Sequence, residues 1–150
     1  MDMRRVRLSD GEVGPLLDGL SNEYDTRYGE NIEMTRASEE EFDPPDGLFI
    51  VLIDGLMTVA GGGFRRHNVS TCEVKRMWTS PQYRRRGLAT TVLRALEEAA
   101  WEAGYADVIL ETGHLQPEAE ALYERRGYSR IEAYGHYPDA SAFGLELSRR

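Results

Sequence analysis

Three consecutive arginines, Arg84, Arg85 and Arg86, abut Gly87, and Leu88, Ala89 and Thr90 follow. The chain that carries them is acidic, with a net charge of −8 over 150 residues. Between residues 65 and 86, seven basic side chains face a single acid, Glu73, which leaves a local excess of six positive charges. A charge run is often only a solvated face, and here it would balance Glu39, Glu40, Glu41, Asp43 and Asp46. Its place in the chain argues for more. Ala89, Val92, Leu93, Leu96, Ala99, Ala100 and Ala103 recur at helical spacing just beyond it, so the stretch opens a helix. The first N–H groups of a helix have no partner within it and carry the positive end of its dipole. Gly87 lets backbone approach a ligand, Ala89 keeps the next close position small, and the arginines add charge. Together they make a cradle for a pyrophosphate.

Other candidate chemistries are weaker. His67, His114 and His136 lie far apart, none in a pair with ligand spacing, so no metal is expected. Cys72 is the only cysteine, which excludes an internal disulfide, suits a reducing cytoplasm and reads as a small buried apolar residue. Gly61, Gly62 and Gly63 lack a G-x-G-x-x-G or Walker context and read as a bulge or close backbone approach. The net charge opposes a general nucleic-acid or anionic-membrane binder. No apolar run approaches the ~20 residues that cross a bilayer, and MDMRRVRLSD lacks the apolar stretch of a signal peptide.

The elements that must position these residues follow from periodicity. MRRVRL reads as a strand, and Val13, Leu16, Leu17, Leu20 and Tyr24 mark an amphipathic helix from Glu12 to about Tyr28. Residues 30–46 read as an acidic loop, possessing at most a helical turn. LFIVLID, LMTVAGGGFRR and STCEVKRMWTS form an antiparallel meander turning at Asp54-Gly55 and His67-Asn68. Strict alternation places Glu73, Lys75, Met77 and Thr79 on one strand face. The helix from Ala89 stops at Gly104, YADVILET is a buried strand, and Pro117 opens a helix that stops at Gly127. YSRIEAY and SAFGLEL close a mixed α/β sheet, expected as one domain over residues 1–150.

Arg84-Arg85-Arg86-Gly87-Leu88-Ala89 resembles the R/Q-x-x-G-x-G/A signature of the GNAT superfamily of acyl-CoA N-acyltransferases. The preceding strand Val74–Thr79 resembles that family's fourth strand, and Gln116-Pro117 through Gly127-Tyr128 resembles its N-x-x-A-x-x-L-Y-x-x-x-G-F/Y segment, with Gln116 in place of asparagine. The resemblance implies a mostly antiparallel twisted sheet of six to seven strands, about four flanking helices and a splay between strands 4 and 5. It further implies acetyl-CoA as acyl donor, with its pyrophosphate on the amides of about Arg85 to Thr90. The backbone of Met77, Trp78 and Thr79 would pair with the pantetheine arm, which Gln116 would also contact. Tyr123 matches the tyrosine that donates to the departing thiolate. Glu73, eleven residues before Arg84, matches a glutamate that several members use as base, and Glu111 lies near the splay. Each carboxylate could instead pair with Lys75 or Arg76; of the two, Glu73 is favoured as base and Glu111 as a contact for the cationic acceptor. Tyr24, His114, Tyr134, His136 and Tyr137 are candidates to line the acceptor pocket. The expected reaction is direct acetyl transfer to a primary amine of a small molecule or peptide, with no nucleic acid or membrane partner and a homodimer left open. The alternative is a non-catalytic acyl-CoA sensor of the same fold.

Overall fold

The computed structural model describes residues 1–28 (side chains through 23), 39–112, 117–135 and 140–148. The apolar run Leu48–Asp54 forms β2, buried along nearly its whole length between β1 (Asp2–Val6) and β3 (Met57–Arg66). The meander continues through β4 (Thr71–Thr79). With β5 (Asp107–Thr112), β6 (Ser129–Ile131) and β7 (Ser141–Glu146) it completes a seven-stranded sheet in the order β1-β2-β3-β4-β5-β7-β6. Every neighbouring pair is antiparallel except β4–β5. This is the expected mixed, mostly antiparallel architecture. Three α-helices are found among the described residues, against about four expected: α1 (Gly14–Tyr28), α2 (Leu88–Glu102) and α3 (Pro117–Arg125). A 3-10 turn, Glu39–Phe42, lies within the stretch read as an acidic loop.

The helices divide the sheet's two faces between two cores. On one face Leu93 and Leu96 of α2 and Tyr123 of α3 pack with Cys72, Val74, Leu110 and Phe143. On the other, Val13 and Leu16 pack with Phe42, Phe49, Val51 and Trp78. Gly104 (φ 97°) follows the C-terminal cap of α2, and beyond it the Tyr105 N–H turns back to the Ala100 carbonyl at 3.0 Å.

Strict alternation along β4 fails at one point. Gly61 pairs with Trp78 and Gly63 with Lys75, so β4 carries one residue more than β3 in that interval. Arg76 takes up the excess with φ 60°, and its guanidinium lies 5.5 Å from the Phe42 ring centroid. A bulge of this kind exchanges the two faces of a strand downstream of it. Cys72 and Val74 face the α2 core, as does Met77, while Trp78 faces the α1 core. Met77 therefore does not share a face with Glu73 and Lys75, contrary to simple alternation.

Close approach explains the glycines of β3. A Cβ on Gly63 would lie 2.4 Å from Phe49 Cδ2 and 2.7 Å from the Leu48 carbonyl oxygen. Gly63→Ala is expected to destabilise the fold by about 2 kcal/mol through overpacking, lowering the melting temperature by roughly 5 °C. A calorimetric scan of the purified variant checks this.

Candidate active site

β4 and β5 pair over only three rungs, Thr71–Asp107, Cys72–Val108 and Glu73–Ile109. Yet β4 runs on to Thr79 and β5 to Thr112, so the two strands diverge beyond Glu73. A cavity of 470 Å³ opens at that divergence, lined by Met77, Trp78 and Thr79 from β4, by the start of α2, and by Ala119, Leu122 and Tyr123 from α3. A strand edge without a neighbour offers its backbone groups to an extended amide-bearing chain.

The cradle is built as its residue types require. Arg85 (φ 65°) and Gly87 (φ 76°) are both left-handed, turning the chain from the 3-10 turn Pro81–Tyr83 into α2. The Thr91 N–H and hydroxyl both donate to the Gly87 carbonyl at 3.1 Å, so the amides of Leu88, Ala89 and Thr90 precede the helical ladder. Arg84, Arg85, Gly87, Leu88, Ala89 and Thr90 all line the cavity.

The three arginines do different things. Arg84 pairs with the Glu23 carboxylate of α1 and donates its Nε–H to the Thr79 carbonyl at 3.2 Å. Arg86 stacks over the Tyr83 ring at 4.9 Å, and the Tyr83 hydroxyl is held by Asp54 at 2.7 Å. Arg86 does not line the cavity, which leaves Arg85 as the one of these three that lines it without a described ion pair. Glu23 was not legible as a site residue, because its pairing spans 61 positions of sequence.

Tyr123 is 6 % exposed and its ring packs against Tyr128 and Phe143, each centroid 5.8 Å away. Burial pushes its phenol up to about 12. Its hydroxyl makes no hydrogen bond among the described residues, while the side chain lines the cavity.

The carboxylates lie on the other side of the sheet. Glu73 alternates with Cys72 and Val74, and Glu111 with Leu110, so both point away from the α2 core. Glu73 is 5 % exposed and fully engaged: Arg65 donates from Nε at 3.1 Å, the Tyr134 hydroxyl donates at 2.8 Å, and Lys75 Nζ lies at 3.8 Å. Arg65 also pairs with Glu41 at 2.9 Å. Glu111 is less enclosed and accepts from the Gly135 N–H at 3.3 Å. Burial, and secondarily Glu73, raise its pKa. Tyr134 thus spans the space between the carboxylates, and Gly135 leaves room for Glu111: a Cβ there would lie 2.0 Å from the Oε1 atom and displace the carboxylate. Nothing in the sequence marks Gly135 for this role.

The splay therefore has a phenol on one side and two carboxylates on the other. Cys72 is fully buried, and burial holds its thiol at about 12, so it is no nucleophile. No group of three or more His, Cys, Asp or Glu that could hold a metal occurs among the described residues. No described helix is long and apolar enough to cross a membrane. His114, Gln116, His136 and Tyr137, together with the Tyr24 side chain, lie outside the described residues.

The model of the acetyltransferase (GNAT) family matches residues 17–128. The chain belongs to that family. An uncharacterised N-acetyltransferase of Escherichia coli K12 is 29 % identical over 139 residues, covering 87 % of this chain and 83 % of its own. Among solved structures, a GNAT-family acetyltransferase of Staphylococcus aureus superposes with a TM-score of 0.83 at 13 % identity, covering 98 % of this chain and all of its own. An aminoglycoside 6'-N-acetyltransferase complexed with coenzyme A gives 0.77 at 15 % identity, covering 100 % and 99 %. At such identities the structural matches speak for the GNAT fold. The parallel β4–β5 pair, the splay and the glycine turn opening α2 are its local form in this chain.

Proposed function

We propose that this GNAT protein transfers an acetyl group from acetyl-CoA directly to a primary amine of a small molecule or peptide. The observation that carries the reading is the single cavity joining the α2 cradle, the open edge of β4 and Tyr123. The amides of Leu88 to Thr90, with Arg85, suit a pyrophosphate. Backbone groups of Met77 to Thr79 suit the two pantetheine amides. A coenzyme A complex in a protein of the same fold supports this occupant.

The chemistry divides between the two faces. An alkylammonium, with a reference pKa of ~10.4, must lose a proton before its nitrogen attacks the thioester carbonyl. A C–N bond then forms, collapse of the tetrahedral intermediate breaks the C–S bond, and the surplus proton on the nitrogen passes to the departing sulfur or to solvent. Tyr123 donates a hydrogen bond to the departing sulfur. With its phenol held near 12, it stabilises the thiolate as a donor and keeps its own proton. We assign the proton acceptor to Glu111 rather than Glu73, because Arg65, Lys75 and Tyr134 already occupy the Glu73 carboxylate. Glu73 then scaffolds the acceptor face. With Cys72 inert, no acyl-enzyme is needed.

The assignment has a pH signature. Glu111 accepts a proton only when ionised, and its pKa is raised above the ordinary 4.5, so kcat falls as pH drops through that raised value. Glu111→Gln is expected to lower kcat by about 10²-fold and abolish that acid limb, whereas Glu73→Gln keeps the limb. Profiles with the roles reversed would return the base to Glu73. The acceptor itself is found by screening an amine panel that includes polyamines, aminoglycosides, amino acids and peptide N-termini for release of free CoA thiol. Tight CoA binding with no turnover across the panel would favour a sensor.

A further inference from the structure

Glu97 is fully buried in the middle of α2, on the apolar stripe between Leu93 and Ala100. Burying a carboxylate is costly, and a well-packed apolar side chain in such a place is often neutral or stabilising. Here each carboxylate oxygen receives a donor from beyond α3. Arg126 donates to Oε1 at 2.7 Å and the Tyr128 hydroxyl donates to Oε2 at 3.0 Å.

Those two donors belong to the turn that ends the helix carrying Tyr123. The Arg126 N–H donates to the Leu122 and Tyr123 carbonyls, at 3.0 and 3.1 Å, and the Tyr128 N–H donates to the Tyr123 carbonyl at 3.0 Å. Gly127, at φ 91°, makes the turn. The Tyr128 ring also packs on the Tyr123 ring. Burial and the neighbouring Glu97 hold the Tyr128 phenol well above its ordinary value, so it remains a donor.

We infer that Glu97 is a positioning residue: through Arg126 and Tyr128 it fixes the Tyr123 hydroxyl relative to the phosphate cradle. α2 is the shared part. Gly87, at its start, belongs to the cradle, and Glu97 lies ten residues along, on the order of 15 Å down a rigid helix. α3 is short, nine residues, so its end is set by what its terminal turn grips. The carboxylate makes the distance from cradle to phenol a property of one helix. The inference rests on the proposed role of Tyr123 as donor to the thiolate.

Bound CoA reports on this without any acceptor amine. Titrating the ultraviolet absorbance of its thiolate gives the thiol pKa in the site, which a donated hydrogen bond lowers. Tyr123→Phe is expected to raise that pKa by about one pH unit, the loss of a hydrogen bond to a charged group. Glu97→Gln keeps the shape of the side chain and should raise it by part of that amount with CoA affinity unchanged. Adding Glu97→Gln to Tyr123→Phe should raise it no further, since Glu97 acts only through the phenol. A folded Glu97→Gln variant with the wild-type thiol pKa, or additive shifts in the double variant, overturns the inference while leaving Tyr123 its role. A wild-type thiol pKa in Tyr123→Phe removes that role, and the inference with it. Should Glu97→Gln fail to fold, Tyr128→Phe removes one of the two grips, and the same titration must show a smaller rise or the inference fails.

Discussion

Tyr123→Phe is expected to lower kcat by about 10²-fold, the scale of a lost general-acid or hydrogen-bond contribution at a leaving group. Acetyl-CoA affinity should stay within a factor of about three, because the ring's packing against Tyr128 and Phe143 is retained. The variant removes one oxygen that makes no hydrogen bond among the described residues, so none of those residues loses a partner. Stability should therefore hold or rise slightly. The clean reading comes from that combination of slow turnover, unchanged binding and an unchanged melting curve. Wild-type kcat on an amine identified by the panel would reduce Tyr123 to a packing residue.

Gly87→Glu should remove measurable acetyl-CoA binding, weakening it by about 10²-fold or more. A new carboxylate would stand among the amides of Leu88 to Thr90, where a pyrophosphate is expected, and like charges brought together cost several kcal/mol. The fold should survive. A Cβ on Gly87 meets nothing within 4 Å, so the cost is confined to the left-handed φ of 76°, about 1–2 kcal/mol for a residue with a side chain. Gly87→Ala separates the two effects, since it has the same strain and a Cβ without the charge, and should lose far less affinity than Gly87→Glu. Calorimetric titration alongside a thermal melt decides between them, and a folded Gly87→Glu variant of undiminished affinity would dismiss the cradle.

What was legible in the sequence was whatever local chemistry dictates. The apolar run of β2, the stripe of α2 ending at Gly104 and the glycine that opens α2 are written in consecutive residues, and each is found where its pattern requires. Relations between distant residues were not legible. The Glu23–Arg84 pair, the grip of Arg65 and Tyr134 on Glu73, and the Glu97–Arg126–Tyr128 group join side chains that no periodicity connects. Glu97 was hidden by its own setting, since a single acid within an apolar stripe reads as an interruption of that stripe. The bulge at Arg76 was missed for another reason. Alternation assumes a constant pairing count, and one added residue reverses every inference drawn beyond it.

That added residue also bears on how the protein could be redesigned. Residues 73 and 75 lie on the face proposed for the acceptor, and Met77 and Thr79 line the cavity proposed for the cofactor. On an unbroken strand the two sets would share one parity, and trading side chains in one would repack against the other. The phase slip at Arg76 places Met77 on the opposite face from Lys75, so the proposed acceptor preference and the proposed cofactor binding would be written in separable alphabets along a single nine-residue strand. A library that varies 73 and 75 would leave untouched the backbone of Met77 to Thr79 proposed for pantetheine. One that deletes residue 76 would scramble both at once.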